Sequence, residues 1–324
     1  MPTQHPSAPT SRFPQLTRRT TLTTAAALAL GAVGMQQTSA VAAPTLRGKP
    51  LATPTSLNDP FSPDLANPAP SGFAPLSPLS RAHAHNDYLH DRPLWDALGQ
   101  GFTSVEADVW FRDGKLLLGH TVLGTASGRG VEDWYVKPLV AWVRAHGGAV
   151  FPGWGGQFTL LIDVKEHGAE SLVALEAVLA KYPDVFWHLD GGREVPGPVR
   201  VVYSGERPTA AIVNSDPRFG SFDGHEGDLD SRESSTHFPL YSESWSSWGW
   251  QGWGAMPSDQ FTHLAQFAES ASANGARSRL WGQPMAFAEQ RENVWKAQLD
   301  AGISLINADH LEHLREFLQA HGVA

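Results

Sequence analysis

From Leu79 to the C-terminus, short apolar runs alternate with stretches whose apolar residues recur every three or four positions. Side chains repeat every two residues on a strand and every 3.6 on a helix, so the first kind predicts strands and the second helices. Strands are predicted at 79–84, 102–110, 158–164, 199–203, 210–213, 279–281 and 303–307. Helices are predicted at 91–100, 131–146, 169–182, 258–273, 289–300 and 311–321. At 91–100, Asp91 takes the N-cap, Pro93 falls in the first turn, and Gly99 and Gly101 mark the end. At 169–182, Leu172, Leu175, Val178 and Leu179 line one face. A polar, Gly- and Trp-rich stretch running to about residue 256 gives no periodic signal.

Strands alternating with helices fit a parallel α/β architecture, and the span 79–324 is the length of a (β/α)8 TIM barrel. A doubly wound open sheet is the rival. No G-x-G-x-x-G follows any strand, which counts against a dinucleotide fold. Upstream, residues 44–78 are dense in Pro, Ser, Ala and Thr and read as a linker. Residues 1–43 read as an export signal. Thr17-Arg18-Arg19 precedes an apolar run that is short for a permanent anchor, and Ala40-Val41-Ala42 supplies the small residues that a signal peptidase accepts. The paired arginines point to the twin-arginine route, so the barrel is expected to be secreted or otherwise extracytoplasmic.

Composition narrows the function. With 41% hydrophobic and 18% charged residues the chain has enough apolar material for a sizeable core. A formal charge of -9, with no Lys/Arg cluster beyond the N-terminus, argues against nucleic acid as a partner. The absence of cysteine excludes disulfides, thiolate metal sites and a cysteine nucleophile.

In "SVEADVW" (104–110), period 2 points Glu106 and Asp108 the same way, about 6 to 7 Å apart. Two adjacent anions are costly unless a cation or a proton lies between them, although a solvated strand end would tolerate both. The following "FRDGKLLLGH" is a hairpin signal with an Asp113-Gly114 turn. A two-residue turn would set His120 opposite Ala107, on the wrong face, whereas a three-residue loop would bring it beside the carboxylates. In "LLIDVKEHG", Asp163 and Lys165 share a face, as a plain salt bridge or as a third oxygen ligand and a phosphate-binding ammonium. The C-terminal ends of the first three strands are neighbours in a parallel barrel, and active sites occupy that rim. His85, Glu106, Asp108, His120, Asp163 and Lys165 all fall there. Carboxylates suit a hard cation, Mg²⁺ or Ca²⁺, and the ligand set lacks the histidines expected for zinc. Two imidazoles flanking a phosphodiester, beside such a cation, fit phosphodiester hydrolysis.

The ordered segments "AHNDYL", "SVEADVW", a Gly-His after a hairpin and "LLIDVK" resemble the superfamily of glycerophosphodiester phosphodiesterases and phosphatidylinositol-specific phospholipases C. The branch most similar is the one named for altered inheritance of mitochondria. The similarity runs from about residue 80 to residue 318 and takes in "SESWSSWGWQGWG" and the late "RLWGQP" and "LDAGISLINADHL". The resemblance implies a barrel, a divalent cation, a His85/His120 acid-base pair and Glu106, Asp108 and Asp163 as ligands. Asn86 matches the calcium-binding Asn of the phospholipase motif. Three departures stand out. His83 is an alternative to His85 as the first catalytic histidine; the His-Arg-Gly form of the first motif, with its phosphate-binding Arg, is absent; and "INADH" differs from the usual ending. The substrate implied is a glycerophosphodiester or phospholipid, and the protein is expected to act as a monomer.

Two other readings fit the same residues. His83-Ala84-His85 with Asp309 is also how a metal-dependent amidohydrolase begins and ends, though no histidine closes a middle strand as that chemistry requires. A non-catalytic lipid- or carbohydrate-binding barrel is the other. Trp245, Trp248, Trp250 and Trp253 either wall a pocket or give transient contact with a membrane surface. Trp281 and Asn307 are expected on the rim of the late strands, and His90, His167, His225 and His237 are read as surface or loop residues.

Overall fold

A computed structural model describes residues 59–231 and 235–323; the leader at 1–43 and residues 44–58 of the linker lie outside the described residues. The chain enters Leu79–Ala84 (β1), the short helix Trp95–Gly99 (α1) and the long strand Phe102–Arg112 (β2), on which Lys115–Leu118 (β3) folds back. Next come Lys137–Ala145 (α2), Phe158–Val164 (β4) and Gly168–Leu179 (α3). A small hairpin of His188–Asp190 (β5) and Arg193–Val195 (β6) precedes Val199–Gly205 (β7), Gly220–Gly224 (β8) and Leu240–Ser244 (β9). Ser258–Ala273 (α4), Arg277–Trp281 (β10), Ala288–Asp300 (α5), Ile306–Ala308 (β11) and Leu311–Ala320 (α6) complete the order.

Eight parallel strands pair in the order β10-β9-β8-β7-β4-β2-β1-β11. Arg279 and Leu305 form a parallel bridge, and the Leu305 N–H donates to the Ser278 carbonyl at 2.9 Å, which brings the two ends of the sheet together. The architecture is the expected (β/α)8 barrel. Helices cover it with apolar stripes: α4 buries Leu264, Phe267, Ala268 and Ala271, and α6 buries Leu311, Leu314, Phe317 and Leu318. Each fully buried Leu or Phe is worth about 1.5–3 kcal/mol, so the covering helices are held mainly by this packing.

The inside of the barrel is layered. Leu161 (β4), Val202 (β7), Leu240 (β9) and Leu305 form their own apolar cluster, separate from the main core between sheet and helices. Two residues further along the same strands, on the same face, stand Asp163, Ser204, Ser242 and Asn307. Polar residues thus occupy the barrel beyond the apolar layer, toward the C-terminal ends of the strands.

Several predicted elements are displaced. The helix expected at 91–100 is α-helical only from Trp95, because the Leu94 N–H donates to Asp87 Oδ2 at 2.6 Å and Leu94 sits at φ 71, outside the helical region. Asp91 is therefore not its N-cap; Asp96 instead reaches back to the Arg92 N–H at 3.0 Å. The strand expected at 210–213 is a short 3₁₀ turn, Thr209–Ala211, and the fifth and sixth barrel strands are β8 and β9, inside the stretch that showed no periodicity. Their inward residues Ser221, Asp223 and Ser242 are buried yet polar, so no alternation marks them. Gly220 is required there, since a Cβ would lie 1.9 Å from the Tyr203 ring. Residues 59–78 contain only turns and the beginnings of an extended segment, but they pack on α1 and α2: Asn67 donates to the Pro93 and Trp134 carbonyls, and Phe73 meets Trp95 and Trp142 edge-on at 5.3 Å.

Candidate active site

The in-register pairing of β2 with β4 sets Asp108 opposite Asp163, and period 2 adds Glu106 on the same face. Glu106, Asp108 and Asp163 each bring a carboxylate oxygen within 4.8 Å of the others. Glu106 and Asp108 are buried, and the buried Asp108 Oδ1 has no hydrogen-bond partner. Burial pushes the Asp163 carboxyl up, Lys165 opposes this, and the charges of Asp108 and Glu106 push it further up. The set is all oxygen, mutually repelling and incompletely satisfied, so it fits a hard divalent cation such as Mg²⁺ or Ca²⁺. No histidine joins it among the described residues.

His120 reaches this cluster by a route the hairpin reasoning did not foresee. Arg112 pairs with Lys115 across a two-residue Asp113-Gly114 turn with φ 49 and 75, not the three-residue loop that His120 was held to need. The strand ends at Leu118, however; the Gly119 N–H still donates to the Asp108 carbonyl at 3.2 Å and its own carbonyl accepts from Trp110 Nε1 at 2.7 Å, and the chain bends at His120. His120 is thereby freed from the ladder's alternation, and its Nδ1 lies 2.9 Å from Asp108 Oδ2.

The two histidines of β1 and its end separate cleanly. His83 is fully buried inside the barrel, with Nδ1 2.7 Å from Ser104 Oγ and Nε2 3.3 Å from Glu106 Oε2. Burial and the nearby Arg279 charge push its pKa down to about 3, so it is a neutral, structural imidazole. His85 lines the cavity instead, and its Nδ1 lies 2.7 Å from Asp309 Oδ1. Burial works against its charged form, but the Asp309 hydrogen bond and the Glu106 charge leave its pKa raised. Asn86, left-handed at φ 48, keeps its amide nitrogen by the His85 ring and accepts from Tyr88 Oη at 3.0 Å. The same Tyr88 hydroxyl lies 2.8 Å from Asp108 Oδ2, so Asn86 stands one hydroxyl away from the acid cluster.

Two cations face the three acids. Lys165 Nζ lies 2.9 Å from Asp108 Oδ2 and 3.0 Å from Asp163 Oδ2; burial lowers its pKa, but the two carboxylates outweigh that and raise it. Arg279, on the inner face of β10, pairs with Glu106 and donates from Nε to Asn307 Oδ1 at 2.9 Å. Burial alone would raise the Glu106 pKa, yet Arg279 and His83 hold it well below the usual carboxylate range. All six predicted rim residues except the fully buried Asp108 line one cavity of about 310 Å³. The sequence reading missed Arg279, His225 and Ser204 in that lining. Arg277, Arg279 and Trp281 alternate, and an arginine on the inward face of a buried strand was the available signal; His225 follows β8, whose strand character the sequence hid. Gly205 closes the wall where a Cβ would lie 2.0 Å from Asp163 Oδ1. Trp281 lines the cavity as expected, whereas Asn307 stands behind Arg279. Trp245 and Trp248 are buried, and of that cluster Trp253 is the exposed member, at 49%.

Residues 75–223 match a family model described as an AIM6-like phosphodiesterase domain. The chain is 27% identical over 280 residues to altered inheritance of mitochondria protein 6 of Lachancea thermotolerans, covering 73% of this chain and 65% of that protein. It is 27% identical over 258 residues to the homolog of that protein from Arthroderma benhamiae, covering 70% and 80% respectively. It thus spans somewhat less than two-thirds of the length of the first of these relatives. A crystal structure of a glycerophosphoryl diester phosphodiesterase from Parabacteroides distasonis superposes with a TM-score of 0.46 at 10% identity, over 77% of this chain and 90% of that one.

Proposed function

We propose that the chain, whose residues 75–223 match an AIM6-like phosphodiesterase domain, belongs with the glycerophosphodiester phosphodiesterase and phospholipase C-like proteins and is a metal-dependent phosphoric diester hydrolase working by histidine acid-base catalysis. The observation that carries this reading is the convergence of Glu106, Asp108 and Asp163 with His85, His120 and Lys165 around a single cavity. Glu106, Asp108 and Asp163, with Asn86 at the edge, would hold Mg²⁺ or Ca²⁺. When bound, the ion neutralises the acids and supplies Lewis acidity toward a phosphoryl oxygen. His85, held at Nδ1 by Asp309, takes the proton of the attacking hydroxyl. His120, held by Asp108, protonates the alkoxide that leaves as the P–O ester bond breaks. Lys165 and Arg279, now spent on the carboxylates, become available to the phosphoryl oxygens once the acids are otherwise neutralised. Arg279 supplies from β10 the arginine that the first motif lacks.

The rim of the cavity supports a lipid-like alcohol. Leu89, Leu123, Trp253, Trp281 and Phe287 are exposed, and all sit on segments at the C-terminal ends of barrel strands, with Trp253 and Phe287 5.7 Å apart. Contact with a membrane or micelle surface would run through this rim rather than through Trp245 and Trp248, which are buried. The leader supports a protein acting outside the cytoplasm.

Replacing Glu106 or Asp108 with Ala should abolish hydrolysis of bis(p-nitrophenyl) phosphate and of glycerophosphodiesters assayed with Mg²⁺, Ca²⁺ or Mn²⁺. His120→Ala should lower kcat by about 10²–10⁴ and leave the fold intact. Full activity in the two acid variants, or no turnover of any diester by the parent chain in a ³¹P NMR screen, would overturn the proposal.

A further inference from the structure

The opposite, N-terminal end of the barrel carries a second group of charged side chains that hydrolysis does not use. Arg81 of β1 and Arg277 of β10 stand two residues before His83 and Arg279, so they share the inner face of their strands but lie below the catalytic layer. Both line a depression of about 520 Å³, together with Ser80, Thr103, Gln157 and Ser304. They are near neighbours: burial first, and then the Arg81 charge, push the Arg277 pKa down to about 10.

Neither guanidinium has a carboxylate within 4.0 Å among the described residues, whereas Arg92, Arg144 and Arg279 each have one. Arg81 donates to the Ile303 carbonyl, and Arg277 to those of Ser80 and Ser304; the Arg81 Nε is buried with no hydrogen-bond partner among the described residues. In a chain with nine more acids than Lys and Arg together, two like charges are set side by side, and among the described residues only carbonyl dipoles answer them. That arrangement is costly unless an anion completes it.

We propose that this depression is a binding site for a small tetrahedral oxyanion of the phosphate class, held between Arg81 and Arg277 with the serine and threonine hydroxyls at its edge. Guanidinium forks match two oxygens of such an anion at once, which neither lysine nor a carbonyl would do. Arg200 is not part of this lining; it is stacked on Trp187 at 4.0 Å and bonded to Ser221, Ser235 and Thr236. The layer of Leu161, Val202, Leu240 and Leu305 separates the site from the catalytic cavity, so the anion held here is not the one being cleaved.

Inorganic phosphate is the probe. In the full chain at low ionic strength, phosphate should shield Arg81 and Arg277 from phenylglyoxal, read by mass spectrometry, and calorimetry should report binding. Arg81→Gln and Arg277→Gln should each weaken that binding by about tenfold or more while leaving diester hydrolysis unchanged. The footprint needs no variant to fold and no turnover, so its outcome is independent of the hydrolase reading. Absence of shielding at both arginines, or calorimetric affinity unchanged in both variants, would sink the site.

Discussion

The two ends of this barrel solve the problem of buried charge differently. At the C-terminal end, Glu106, Asp108 and Asp163 are answered by Lys165 and Arg279, which leaves three acids against two cations. At the N-terminal end, Arg81 and Arg277 are answered, among the described residues, by carbonyl groups alone. A cluster whose counter-charges are nearly complete but borne on flexible side chains can reorganise when a ligand arrives; a cluster without counter-charges waits for the ligand to supply them. The first suits a catalytic centre that must exchange partners during a reaction. The second suits a site that binds and holds.

The sharpest way to break this comparison is to remove one arginine from each end. Arg279→Met removes the buried guanidinium paired with Glu106, leaving it imidazoles as neighbours, and should cost about 3–5 kcal/mol of stability in EDTA, the usual penalty for leaving one partner of a buried pair. Arg277→Met removes hydrogen bonds to two carbonyls but also relieves a like-charge contact, so its net cost should stay within about 1 kcal/mol. Urea unfolding of both variants measures the contrast. Equal losses would show that the arginines serve the fold alike, and the distinction between the two ends would fall.

How much of this was legible beforehand follows the same division. The three early strands announced themselves because their outward faces are apolar, and their inward faces carry Glu106, Asp108, Asp163 and Lys165 in plain alternation. That is why most of the candidate rim was readable. The fifth and sixth strands were not, since Ser221, Asp223 and Ser242 face a polar interior and Gly220 and Gly224 replace the expected apolar positions. His120 was readable as a candidate but not as a geometry: its place depends on where β3 stops, and Gly119 fixes that through a close approach to Gly124 that no local periodicity encodes. Arg279 and the Arg81/Arg277 pair depend on the register of β10 against the rest of the sheet, a tertiary fact.

A second, smaller effect tests whether the catalytic end is held under electrostatic stress. Asp223, from a strand the sequence concealed, is buried beside Ser204 with its Oδ1 unpartnered, and burial raises its pKa to about 6 despite the opposing Arg279 charge. Its folded pKa exceeds the unfolded one, so the folded state binds the extra proton between about 3.8 and about 6. The associated stability is complete below that window and is lost as pH rises through it, at up to about 1.4 kcal/mol per pH unit. Asp223→Asn should flatten this slope and stabilise the chain at neutral pH. Thermal unfolding between pH 4 and pH 8 reads both, and an unchanged slope would remove the stress from the account.

The smallest expected effect concerns the base. His85 must be deprotonated to accept a proton, so the acid limb of the kcat/KM profile should follow its raised pKa and lie above the ordinary imidazole value of about 6.5. The rise comes through the Asp309 hydrogen bond and the Glu106 charge acting against burial. Asp309→Asn keeps the shape but withdraws the negative charge, so the limb should move to lower pH while the alkaline limb stays in place. The plateau rate should fall as well, because an uncharged partner orients the ring less firmly and stabilises the imidazolium less. A lower plateau with an unmoved acid limb would mean that Asp309 only positions the ring and that another group sets the limb. His225, the remaining imidazole of the cavity, is then the residue to replace next. If the limb moves as stated, the catalytic end is tuned by a carboxylate outside the acid cluster, a kind of control for which the arginine end, with no acid beside Arg81 or Arg277 among the described residues, has no counterpart.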